Sequence, residues 1–206
     1  MGSPHMAELL ARLGLERLER AVLYGLGLVA VLGLVAGAFH IDYAWLAFVV
    51  RWLHVVTGIM WVGLLWYFNF VQIPTMAKLP EDLRPAVSQY LAPTALFWFR
   101  HAALATVLSG LLLAYLNGYL WQALTLGIGS GGGKPTAIGI GMWLGLVLAY
   151  NVWMVIWPAQ KKALGLVEAS LLERKEAARL AMLVGRLNTA LSLPLLFFMV
   201  AAQNLY

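Results

Sequence analysis

Apolar residues run almost unbroken through five stretches of the chain, near residues 21–39, 44–71, 94–117, 137–157 and 181–203. Each approaches or exceeds the roughly 20 residues that a helix needs to cross the hydrocarbon of a bilayer. The second is long and rich in tryptophan, which predicts tilt or projection beyond the hydrocarbon. Ahead of them, residues 7–20 read AELLARLGLERLER. Leucines at helical spacing with Arg and Glu between them predict an amphipathic helix lying at the membrane interface. The pattern therefore predicts an all-α integral membrane helical bundle, with five transmembrane helices forming one domain over residues 21–206. Residues 1–6, MGSPHM, read as a cloning remnant and are set aside, His5 with them.

Composition narrows the class. The 206 residues are 62% hydrophobic and 11% charged, against about 45–50% and about 25% in soluble domains. That excludes a soluble enzyme, a disordered chain and a coiled coil. Cysteine is absent, which excludes disulfides, iron–sulfur clusters, thiolate metal sites and covalent c-type haem.

The formal net charge of +5 fits a membrane protein with Lys and Arg concentrated on the cytoplasmic side. Of the 14 Lys and Arg, Arg51, Arg100 and Arg186 fall within spans. Arg12, Arg17, Arg20, Lys78, Arg84, Lys161, Lys162, Arg174, Lys175 and Arg179 share one side if the N-terminus is cytoplasmic, and Lys134 alone lies opposite. No basic stripe is interleaved with stacking aromatics, so no nucleic-acid partner is expected. The loop GIGSGGGKPTA (127–137) fails the phosphate-loop pattern twice: Ile128 stands for the first Gly, and Pro135 follows the Lys.

Ionisable groups inside a bilayer cost several kcal/mol unless paired or hydrated. All nine acids lie outside the spans or at their ends, so Arg51, Arg100 and Arg186 have no carboxylate to pair with there. An anion from outside the chain would serve: haem propionates, a lipid phosphate or an acidic substrate.

Near the outer face, Arg51, His54 and Gly58 share one helix face through spacings of three and four. There His54 is a candidate haem ligand, Arg51 a candidate propionate anchor and Gly58 room for a flat macrocycle. Met199 falls at similar depth and is a candidate sixth ligand. Near the inner face, Asn69, Arg100, His101, Asn151, Arg186 and Asn188 come from four helices, with His101 as a second candidate iron ligand. Helical rise places His54 and His101 about 15 Å apart in depth, so two sites are expected rather than one shared haem. Haem suits so few histidines because the porphyrin supplies four ligands itself, whereas zinc or copper needs three or four protein ligands.

Four ordered segments, RWLHVVTGIMWVGLLWYFNF (51–70), PTALFWFR (93–100), NVWMVIWPAQKK (151–162) and GRLNTALSLPLLFFM (185–199), together resemble the N-terminal membrane domain of bacterial membrane-bound urate oxidases. In those proteins the domain is coupled to a cytochrome c. The second span is also similar to that of the membrane protoporphyrinogen oxidases that bind haem b. The resemblance implies a multi-span redox protein of the bacterial cytoplasmic membrane, carrying one or two haem b groups, with His54 at the family's histidine. These residues include no cytochrome c segment, so the expected electron partner is a separate cytochrome, a quinone or a terminal oxidase. Porphyrin oxidation and a non-catalytic, lipid-binding module are the alternatives.

Overall fold

The computed structural model describes residues 4–206; residues 1–3 of the expected cloning remnant lie outside it. Every regular element among the described residues is helical: α1 (Pro4–Arg12), α2 (Leu18–Val35), α3 (Tyr43–Lys78), α4 (Arg84–Leu116), α5 (Leu120–Leu124), α6 (Lys134–Ala163) and α7 (Leu171–Asn204). Five of them, α2, α3, α4, α6 and α7, are long and apolar enough to cross a membrane. The chain is thus all-α and multi-pass.

Residues 1–46 and 47–206 form two compact units. In the first, the expected amphipathic helix stops at Arg12, short of Arg20. Gly14 takes φ +70°, a left-handed conformation that costs glycine little and other residues more, and α2 restarts at Leu18. None of the α2 residues is buried.

In the second unit, α3, α4, α6 and α7 pack as a four-helix bundle. Its core contains Trp61, Leu65, Leu96, Phe99, Ala103, Leu148, Val152 and Leu195. One end of this bundle carries Lys78, Arg84, Lys161 and Lys162 and is called the basic end below. The opposite end carries α5 and the glycine-rich loop, where Gly129, Gly131 and Gly132 all take positive φ. Local chemistry marks the helix starts. Pro135 opens α6 in its first turn, where a missing N–H costs nothing. A capping box opens α7: Ser170 Oγ accepts from the Glu173 N–H at 3.3 Å, and the Ser170 N–H donates to Glu173 Oε2 at 2.7 Å.

Three of the four helices widen to π turns, over Tyr67–Gln72, Val87–Leu91 and Asn151–Ile156. A proline stands two residues beyond each segment: Pro74, Pro93 and Pro158. A proline ring inside a helix clashes with the carbonyl four residues earlier and leaves it without its donor. Those carbonyls belong to Phe70, Gln89 and Met154, each inside a π segment. Widening the helix there accommodates the ring while the helix continues, and such bulges recur at functional sites. All three lie toward the basic end.

Candidate functional site

Among the described residues, one cavity lies toward each end of the four-helix bundle. The larger, about 590 Å³, lies between α3, α4, α6 and α7 on the side of the glycine-rich loop. Its size falls within the ~300–1,000 Å³ typical of small-molecule and cofactor sites. The wall is mostly aliphatic and aromatic, with few polar groups: Arg51, His54, Thr106, Tyr119 and Gln203.

His54 comes from the first half of α3 and is half-buried. Its Nδ1 lies 2.9 Å from the Thr106 carbonyl and 3.2 Å from Ser109 Oγ on α4. A carbonyl only accepts, so Nδ1 carries the proton and Nε2 carries the lone pair. Among the described residues no group hydrogen-bonds Nε2. The ring rests on Gly110, where a Cβ would come within 2.8 Å of His54 Cε1. Such an orienting carbonyl is how proteins hold a metal-ligating histidine.

Arg51 sits one turn away on the same wall. Its guanidinium reaches only the Asn117 side-chain oxygen, at 3.5 Å, and no carboxylate pairs with it; among the described residues the one ion pair is Arg12 with Glu8. Burial pushes the Tyr119 phenol above its usual range, while the positive charge of Arg51 pulls it back. Trp61 is 3% exposed and its indole N–H meets no acceptor among the described residues. Gly58 lines the cavity with Thr106 Cγ2 at an ordinary 3.8 Å from a built Cβ. Met199 enters the wall from α7, its Sδ 3.3 Å from the place a Cβ on Gly141 would take. Arg51, His54, Gly58 and Met199, read from the sequence as one outer constellation, therefore do share one cavity.

The expected inner constellation is only partly assembled. Asn188 is fully buried between α6 and α7, accepting from Asn151 Nδ2 at 2.8 Å and donating to the Leu148 carbonyl at 3.0 Å. Asn69 Nδ2 donates to the Leu65 carbonyl and, at 3.5 Å, to that of Gly185 on α7. The cations and the imidazole lie apart from these amides. Arg100 stacks over Trp157 at 4.0 Å and Phe97 at 5.3 Å, a cation–π arrangement that supplies the missing negative field. Arg186 is exposed. His101 is exposed too, its Nδ1 donating to the Phe97 carbonyl at 2.7 Å and its ring packed on Phe97 and Trp153. It lines neither cavity.

Thr106, Ser109 and Tyr119 were not singled out by sequence reasoning, nor was the packing of Gly110 on His54. The available signal was the run of small residues Ala102, Ala103, Thr106 and Gly110 along α4. In membranes small side chains mark the faces where helices approach closely. Among the described residues no three His, Asp or Glu side chains come together to hold a bare metal ion. The residues around the larger cavity do fit a haem: one oriented imidazole, an unpaired cation, an unpaired indole donor and apolar walls. Comparison with protein-family models, with curated proteins and with solved structures finds no match to the chain.

Proposed function

We propose that the chain is a b-type haem protein of the bacterial cytoplasmic membrane that passes electrons, with the haem held in the larger cavity by His54. One observation carries this reading: His54 is locked by the Thr106 carbonyl in the tautomer that leaves Nε2 as a ligand, on the wall of a cofactor-sized apolar cavity. Arg51 would anchor propionates, and Met199, which lines the same cavity, would be the candidate second ligand. The bound haem supplies reversible one-electron chemistry. The protein's own residues do the rest. Thr106 and Ser109 hold the imidazole, Arg51 neutralises anionic substituents, and the aliphatic walls exclude water and so tune the potential. A single haem is proposed, because His101 lies outside both cavities.

The likeness of its four segments to the urate oxidase membrane domain supports a redox role, with oxidation of a small substrate as its extension. A cytoplasmic N-terminus would put ten basic residues on that side against Lys134 alone on the other, and the positive-inside rule supports that orientation. Electrons would leave to a separate cytochrome, a quinone or a terminal oxidase.

The test is an absorption spectrum and a pyridine haemochrome assay on protein purified in mild detergent. A b-type spectrum is expected, lost in His54→Ala and kept in His101→Ala. Protein that stays colourless after haem reconstitution overturns the proposal and favours a lipid-binding module. Rescue of a strain lacking protoporphyrinogen oxidase would instead assign porphyrin as the substrate.

A further inference from the structure

The second cavity, about 310 Å³, lies at the basic end and shares no lining residue with the first. Residues of all three π segments line it: Phe68, Asn69 and Gln72 from the first, Ser88 from the second and Ile156 from the third. The helices are thus widened around this one space.

Its polar groups are unbalanced. Asn69 Oδ1 and Gln72 Oε1 are buried and, among the described residues, meet no hydrogen-bond donor, while Ser88 already donates to the Arg84 carbonyl at 3.2 Å. Buried acceptors of this kind are rare and cost free energy until a donor reaches them. Water alone is a poor match. At ~30 Å³ per molecule the space would hold about ten, each needing two to four polar partners. The wall offers few polar side chains, namely Asn69, Gln72, Ser88 and Gln160, among apolar ones that include the edge-to-face pair Phe68 and Phe99, 5.5 Å apart.

We infer that this cavity binds a lipid-soluble hydroquinone, the buried oxygens of Asn69 and Gln72 accepting its hydroxyl protons and the aromatic pair forming one wall beside its ring. The reduced form carries hydroxyl donors and the oxidised quinone only carbonyl acceptors, so the site favours the reduced form. The inference stands apart from the haem reading, since it uses none of the residues around His54.

Titration of the protein in lipid nanodiscs, without oxygen, with a decyl-substituted benzohydroquinone and with its quinone tests it. Saturable binding of the hydroquinone is expected, about tenfold or more tighter than the quinone, the worth of one hydrogen bond to a buried acceptor. Gln72→Leu removes one acceptor at similar size and should abolish most of that preference; Asn69→Leu does the same from the neighbouring position. Binding retained in His54→Ala separates this site from the haem cavity, and loss there overturns that separation. Equal affinity for the two forms, or uptake no greater than into protein-free discs, overturns the proposal.

Discussion

Gly110 on α4 lies directly beneath the imidazole of His54 on α3, so close that a Cβ at Gly110 would come within 2.8 Å of His54 Cε1 and 3.2 Å of Nδ1. Gly110→Ala must push the ring off the Thr106 carbonyl or part the two helices. Haem content by pyridine haemochrome should fall well below wild type. Gly27→Ala, whose Cβ meets nothing within 4 Å, should leave haem content unchanged, with α2 slightly more stable, by up to ~1 kcal/mol.

Ser109 provides the second contact to His54 Nδ1, at 3.2 Å. Ser109→Ala keeps the Thr106 carbonyl in place and loosens the ring. Outer partners of this kind typically contribute about 10–100-fold in metal affinity. A rise in the haem dissociation constant toward the lower end of that range is expected, measured by transfer to apomyoglobin.

Met199 offers a thioether to the same cavity as His54. Met199→Leu conserves volume, so it should cost less than ~1.5 kcal/mol in stability. As a ligand, Met raises the potential of a haem. A redox titration of the variant should show a lower midpoint with haem content preserved; an unmoved midpoint would assign Met199 to packing alone.

Asn188 is 0% exposed and bridges Asn151 to the Leu148 carbonyl. Asn188→Ala strands the Asn151 amide inside the bundle. Hydrogen bonds between membrane helices are worth roughly 0.6–2 kcal/mol, and a loss in that range is expected in denaturant titration, with haem content unaffected.

The five long helices were legible because nothing but a bilayer accommodates such apolar runs. Their ends were less so. The helix predicted for 137–157 runs to Ala163, and that for 181–203 starts at Leu171, since polar turns project beyond the hydrocarbon and carry no hydropathy signal. Helix facing was hardest to read. His101 shares an exposed stripe of α4 with Phe97, Leu104 and Leu108, while Ala102, Ala103 and Thr106 face inward. Both faces are apolar, so hydropathy shows almost no asymmetry along α4, and only side-chain size distinguishes the packed side. The role of Gly110 was hidden for a different reason: it depends on which residue of another helix sits opposite. The π turns had a sequence mark, the prolines at 74, 93 and 158, whose effect on helix width depends on the helix continuing past each one.

Trp61 lines the first cavity and Leu65 and Phe99 the second, and with Leu148 and Val152 they belong to one packed core, each at most 3% exposed. An apolar layer of this kind, with a cavity toward either end, opposes the passage of ions. Vesicles containing the protein should hold an imposed proton gradient as long as protein-free vesicles do, read with an entrapped pH dye. Any redox traffic across this layer would then move charge without letting the membrane leak.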